Sequence, residues 1–205
     1  MQRVNVGLAA EIGRKAAARG VPLVFVSTVK VHGEEGVFNE SSPISPQDAY
    51  AESKARAEDA LRAIPGLKLA ILRPPLVYGP GVKANFLSLM RAIARGWPLP
   101  FASIRNRRSL IYVGNLASAI QACIGREGTF LVSDGTPFST PALCRAVGNS
   151  IGRPARLLAF PPGLLPRKLS ASLEIDDSLL RRSWVPPFPA EQGLARTGEW
   201  YRRRD

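Results

Sequence analysis

No apolar run in the sequence approaches the roughly 20 residues that a helix needs to cross a bilayer, so a helical membrane span is excluded. The N-terminal stretch carries Glu11, Arg14 and Lys15 where a secretory signal would be apolar, and the expectation is a soluble, cytoplasmic protein without a membrane partner. Cysteine is scarce. Cys123 and Cys144 stand apart from each other and from any His at metal-ligand spacing, which predicts buried free thiols and no metal site. Carboxylates are also few: 16 Asp and Glu against 28 Lys and Arg leave a net charge of +12, which invites anionic partners without choosing among them. No recognition helix, zinc motif or aromatic RNA-binding signature accompanies that charge, so nucleic acid is not the expected partner. The basic clusters at residues 105–108 and 202–204 read as solvated faces. What is present is ordinary for a globular chain, with 45% apolar and 21% charged residues, and this excludes thorough disorder, collagen and mucin-like stalks. A chain of 205 residues makes one large domain or one and a half small ones, and buries about 70% of its unfolded surface.

The order of elements points to an α/β fold. Residues 5–19 are Ala-rich and free of Pro, as a helix requires, and residues 21–26 form a short apolar run that predicts a buried strand. A polar loop spans residues 33–46. Ser45 as N-cap with Pro46 at the first helical position then opens a predicted helix over residues 47–64, stopped by Pro65 and Gly66. A second buried strand is predicted at residues 67–72 and, after a loop with Gly79, Pro80 and Gly81, a helix at residues 85–94. Shorter elements follow: a strand near Leu110, a helix over 113–124, a strand over 129–132, and a helix capped by Thr140 and Pro141. Residues 161–189 are Pro-rich and read as irregular, and an amphipathic helix covers 190–203. Such alternation predicts a parallel sheet covered by helices, with ligands outside the carboxyl ends of the strands.

Two features carry chemistry. Tyr50 and Lys54 lie four apart in the predicted 47–64 helix, so both project from one face about one turn apart. An ammonium beside a phenol favours the phenolate and can bring a Tyr pKa, normally about 10, toward the range of a general base. Ser27 and Thr28 fall at the carboxyl end of a buried strand, in FVSTVKVHG, where a hydroxyl can hydrogen-bond a substrate oxygen beside that phenol. Each feature alone is ordinary structure; their order is not.

With FVSTVKVHGE, YAESK, LRPPLVYGPGVKANF, RRSLIYVGNLASAI and the terminal EIDDSLLRRSWVPPFPAEQGLARTGEWYR, the sequence resembles the extended short-chain dehydrogenase/reductases. The branch is that of the NAD-dependent nucleotide-sugar epimerases and dehydratases, with UDP-glucose 4-epimerases the most similar type. The resemblance implies a partial Rossmann-like, doubly wound parallel sheet. Residues 1–130 would be what remains of the NAD(P)-binding domain, with a substrate-region insertion at 80–108, and residues 131–205 the C-terminal substrate-binding region. It also implies Tyr50 as acid/base, Lys54 as the residue that lowers its pKa and holds the nicotinamide ribose, Thr28 as the hydroxyl on the reacting oxygen, and Asn5 as the fourth member of a tetrad. Ser27, Pro74 and Pro75 would lie against the cofactor, NAD with NADP left open. Asn85, Phe86 and Arg108 would meet the sugar diphosphate of a nucleotide-sugar substrate, a guanidinium suiting that anion. A homodimer through the helix bearing Tyr50 is implied as well.

Within the branch, 4,6-dehydratases place Asp and Glu directly after the catalytic Thr, whereas Val29 and Lys30 stand here, so epimerisation at C4 of a UDP-hexose is expected over loss of water. Leu76 replaces an Asn common in the epimerases, and the sugar stays open. Among the 18 glycines there is no GxGxxG or GxxGxxG, the turn that receives the NAD pyrophosphate. About ninety residues of sheet and cofactor site are missing at roughly 30 residues per βαβ step. The expectation is a truncated, mis-started or split chain, inactive alone. The alternatives are a non-catalytic remnant that binds a sugar nucleotide or a partner, and a sugar-nucleotide or hydroxysteroid-type dehydrogenase or reductase.

Overall fold

A computed structural model describes residues 6–204. In chain order the elements are α1 (Leu8–Ala18), β1 (Leu23–Val26), a single 3₁₀ turn (Val29–Val31), β2 (Gly36–Phe38), α2 (Ala49–Arg62), β3 (Leu69–Arg73), β4 (Leu76–Tyr78), α3 (Ala84–Ala94), β5 (Leu110–Tyr112) and α4 (Val113–Ala122). They continue with β6 (Gly128–Leu131), α5 (Thr140–Ile151), α6 (Arg167–Ser170), β7 (Leu173–Ile175), α7 (Ser178–Arg181) and α8 (Ala190–Arg202). This is the α/β alternation expected, and the chain builds two compact units, each from discontinuous segments.

One unit comprises the described residues as far as Pro75 together with Ala117–Val132 and Ile175–Val185. Its sheet is parallel in the order β1, β3, β6, with Leu23 opposite Leu69, Val26 opposite Leu72, and Arg73 opposite Leu131. β3 is central and buried along its whole length, which is why LAILR is nearly continuous in apolar residues rather than alternating. α1 ends by tight geometry. Gly20 takes a φ of +63°, its N–H reaches the Ala17 carbonyl at 3.0 Å and the Val21 N–H reaches Ala16 at 3.0 Å, so the last carbonyls of the helix are satisfied. α1 then packs on α2 at Gly13, where a Cβ would lie 2.6 Å from Leu61 Cδ2 and 2.7 Å from Ile64 Cδ1.

The second unit comprises Leu76–Leu116, Ser133–Glu174 and the chain from Pro186 onward. β4 and β5 pair in parallel, Leu76 with Leu110 and Tyr78 with Tyr112, over a core of Tyr78, Phe86, Met90, Ile93, Tyr112 and Val147. The Asp134 carboxylate organises this unit: it accepts from the Tyr112 N–H at 3.0 Å, Asn115 Nδ2 at 2.7 Å and the Tyr78 hydroxyl at 2.8 Å. α8 meets α5 where Gly198 faces the Ser150 backbone carbonyl with no room for a Cβ.

Three local expectations are corrected. The Tyr50 helix is capped by Asp48, whose side chain accepts from the Ala51 N–H at 2.7 Å, so it begins at Ala49, and Ser45 stays in the preceding loop, its N–H donating to the Val31 carbonyl at 2.8 Å. At α5 the cap is Ser139, accepting from the Ala142 N–H at 3.2 Å, with Thr140 and Pro141 inside the helix. Residues 161–189 are not wholly irregular, since β7 and α7 lie within them.

Candidate active site

The carboxyl end of β1 continues alongside the end of β3: the Ser27 N–H donates to the Leu72 carbonyl at 2.7 Å and the Val29 N–H to Pro74 at 2.9 Å. This places Ser27, Thr28, Pro74 and Pro75 together, all buried, at the strand end where parallel sheets bind ligands. Thr28 caps the 3₁₀ turn, its Oγ1 accepting from the Lys30 N–H at 3.3 Å.

α2 carries the other candidates. Tyr50 is the second residue of the helix and 42% exposed. Its phenol is held above the ordinary range, by partial burial first and by the Asp48 carboxylate second, with the Lys30 ammonium pulling the other way. One turn on, the Lys54 ammonium donates to the Val26 carbonyl at 2.9 Å and lies 4.8 Å from the centre of the Phe25 ring. Burial lowers its pKa, and Glu58 opposes that shift. Spacing alone assigned the acidification of Tyr50 to Lys54. In the structure the Lys54 amine is engaged by the strand end, and Lys30 makes a smaller contribution that favours the phenolate.

The remaining expected residues are placed as follows. Asn5 lies outside the described residues. In the second unit Asn85 is exposed at the start of α3. Phe86 is 3% exposed and stacked on Tyr78 at 5.7 Å between ring centres, so its side chain belongs to the core. Arg108 pairs by its backbone with Phe138 and sends Nη1 to the Lys168 carbonyl at 2.8 Å.

Sequence reasoning missed the polar cluster under this strand end. Glu58, 1% exposed, receives Arg73 Nε at 3.0 Å and Nη2 at 2.5 Å, while Arg73, 3% exposed, sends Nη1 toward His32 Nε2 at 2.9 Å. His32 Nδ1 is 3.0 Å from the Pro43 carbonyl, an acceptor, so Nδ1 carries the proton and Nε2 accepts from Arg73. Burial raises the Glu58 pKa, but the Arg73 hydrogen bonds outweigh it, aided by the nearby Ser27 hydroxyl, and the group stays ionised. The Ser27 Oγ itself makes no hydrogen bond of full geometry. The available signals were Glu58 continuing the 50, 54 spacing by four, and a lone arginine ending an apolar strand.

Among the described residues no cluster of three His, Cys, Asp or Glu side chains is placed to hold a metal, and no helix is long and apolar enough to cross a membrane. Residues 1–129 match the profile of the NAD dependent epimerase/dehydratase family, well over half of the chain. The chain belongs to that family. It is 33% identical to UDP-glucose 4-epimerase of Vibrio cholerae over 97% of this chain and 69% of the relative. It is 31% identical to ceramide reductase of Caulobacter vibrioides over 98% of this chain and 68% of the relative. The crystal structure of dTDP-glucose 4,6-dehydratase from Streptomyces venezuelae with NAD and TYD bound superposes with a TM-score of 0.78 at 25% identity, over 98% of this chain and 66% of that one. The chain thus spans about two thirds of the length of the proteins it resembles, and its sheet is a partial Rossmann-like one.

Proposed function

We propose that the chain carries the catalytic residues of an NAD-dependent C4 epimerase acting on a UDP-hexose, and that these 205 residues alone bind NAD too weakly for turnover. What supports the reading is Thr28 at the carboxyl end of β1 and Lys54, one helical turn from Tyr50, bonded to the last residue of that strand, in a chain of this family. The residues present suit the nicotinamide half of the cofactor: Lys54 offers a half-buried ammonium and Tyr50 and Thr28 offer hydroxyls, whereas no glycine-rich turn is present for the pyrophosphate. Bound NAD supplies the acceptance and return of a hydride.

The protein residues handle the proton and the orientation. Tyr50 as phenolate takes the proton of the 4-hydroxyl and returns it once the 4-keto sugar has turned over. Thr28 hydrogen-bonds the same oxygen, fixing its distance from the phenol. Lys54 exchanges the Val26 carbonyl for ribose hydroxyls. Arg108 faces the diphosphate, and a cytoplasmic homodimer through α2 belongs to the same reading. Lys30 supports epimerisation over dehydration, because a paired ammonium after Thr28 cannot protonate a leaving hydroxyl as a carboxylic acid does. A second reading, a dehydrogenase or reductase, is favoured by the likeness to ceramide reductase.

The test has two arms. Calorimetric titration of the 205-residue chain with NAD is expected to show no tight binding, and micromolar affinity overturns the claim of weak binding. The chain joined to a glycine-rich βαβ segment is then given NAD and UDP-glucose: UDP-galactose supports the epimerase, a stable keto product supports the dehydrogenase, and no product leaves a non-catalytic binder.

A further inference from the structure

We propose that residues 158–169 of the second unit, with Trp97 beside them and basic side chains flanking them, form a docking surface for an anionic lipid bilayer. The surface is independent of the reading of Tyr50 and Lys54.

The segment reads LAFPPGLLPRKL and is apolar as far as Pro166. Such a stretch normally turns inward, yet Leu158, Phe160, Leu164 and Leu169 are all exposed, Leu164 by 73%. The reason is geometric. The Leu99 N–H donates to the Arg156 carbonyl and the Leu158 N–H to the Leu99 carbonyl, both at 2.8 Å, so the chain is extended there and its side chains alternate. Leu157 takes the core side and Leu158 faces out. A 3₁₀ turn at Pro162–Leu164 follows, closed by the Leu164 N–H on the Pro161 carbonyl at 3.1 Å. At the far end Asn106 Nδ2 donates to the Leu169 carbonyl at 3.3 Å and Arg108 Nη1 to the Lys168 carbonyl at 2.8 Å. Both ends are thus fixed with the leucines outward. Arg156 Nη1 donates to the Gly96 carbonyl at 3.4 Å, which brings the next residue, Trp97, beside the segment. Trp97 is 55% exposed, with the Arg95 guanidinium 5.4 Å from its ring centre.

The charge around these residues has one sign. Residues 135–173 hold five Lys and Arg and residues 76–116 hold six, and neither stretch contains an Asp or Glu. Arg95, Arg156, Arg167 and Lys168 are exposed next to the apolar side chains. Leucine, phenylalanine and tryptophan that enter an acyl boundary while arginine and lysine meet anionic headgroups suit a peripheral anchor, which lies on a bilayer and needs no spanning helix. A nucleic acid would use the charge and gain nothing from the leucines. A second copy would bring the same positive charge to the contact.

Binding of the 205-residue chain is measured by co-sedimentation with vesicles of phosphatidylcholine alone and of phosphatidylcholine with roughly a third phosphatidylglycerol. The chain is expected to pellet with the anionic vesicles, to stay in solution with the neutral ones, and to be released when salt rises from about 0.1 M to about 1 M. Arg167→Gln with Lys168→Gln, and separately Phe160→Ser with Leu164→Ser, are each expected to weaken binding about tenfold or more. Phosphatidylglycerol brominated on its acyl chains is expected to quench the fluorescence that is missing in Trp97→Phe. Docking on a bilayer is overturned if neutral vesicles bind equally well, if the serine variant binds like the wild type, or if the brominated chains leave Trp97 unquenched. The quenching is read on the wild-type chain, so it decides even if the serine variant does not fold. Unchanged vesicle binding in the serine variant, with displacement of the vesicles by duplex DNA, identifies a nucleic-acid face instead. Self-association that the serine variant abolishes, without vesicle binding, identifies a contact between copies. Vesicle binding requires no turnover, so failure of the epimerase reading leaves this inference standing.

Discussion

The Lys54 ammonium donates to the Val26 carbonyl oxygen at 2.9 Å, tying the helix that carries Tyr50 to the last residue of β1, directly before Ser27 and Thr28. That bond and the Lys30–Asp48 ion pair at 3.3 Å both tie the helix of the candidate acid/base to the segment of the candidate hydroxyl. In the extended chain, Tyr50→Phe is expected to lower turnover by about 10²- to 10⁴-fold, the usual worth of a positioned general base. Because Tyr50 lies on the partly exposed side of α2, its unfolding free energy should change by less than about 1 kcal/mol. A large loss of stability by urea denaturation would show that the ring is a packing element instead.

The Glu58 and Arg73 pair is buried and bidentate, so removing one member strands the other. Glu58→Ala or Arg73→Ala is expected to cost about 3 to 5 kcal/mol. Replacing both by Met should recover at least half of that loss, because no charge is left uncompensated. Denaturant midpoints of the two single variants and the double variant decide the matter: strictly additive losses would mean that the two side chains act independently.

His32 is the one histidine of the sequence, and its pKa is depressed, by burial first and by the Arg73 guanidinium, against the Pro43 carbonyl and Glu58. The unfolded chain takes up a proton near pH 6.5 while the folded one does not, so it binds more protons over the interval below that value. Stability should be full above about pH 6.5 and fall as the pH drops toward the folded value, by at most about 1.4 kcal/mol per pH unit. Urea midpoints compared at pH 7.5 and 5.5 should show this decline in the wild type and a flatter profile in His32→Gln.

Gly198 faces the Ser150 carbonyl across the contact of α5 and α8. A methyl group there meets backbone rather than a flexible side-chain end, so Gly198→Ala is expected to cost about 1 to 3 kcal/mol despite the better helix propensity of Ala. Thermal unfolding should fall by about 2 to 4 °C for each kcal/mol in a chain of this size. Gly163, whose added Cβ meets nothing within 4 Å, supplies the control substitution.

The parallel sheet was legible because LVFV and LAILR are short apolar runs between Ala-rich helical stretches, and period and composition identify such runs locally. Thr28, Tyr50 and Lys54 were singled out by their order, and in the fold Lys54 is bonded to the strand end that leads into Thr28. The helix start was not legible, because Ser45 and Asp48 are both good caps and local pattern does not choose between them; in the fold Asp48 caps the helix and also receives Lys30, while Ser45 lies in the loop bonded to Val31. Arg73 meets Glu58 across 15 residues and His32 across 41, separations at which no periodic pattern operates. The stacking of Phe86, which the resemblance sets with Asn85 against the sugar diphosphate, on Tyr78 was likewise beyond local pattern.

The bond from Lys54 to Val26 also bears on how a ribose would be received if Lys54 holds one, as proposed. The amine has already shed part of its hydration shell on folding and sits against an aromatic ring with a carbonyl for company. On the proposed reading, an incoming sugar hydroxyl would swap one oxygen acceptor for another without stripping the ion of water, so the desolvation toll would fall on the folding step rather than on docking.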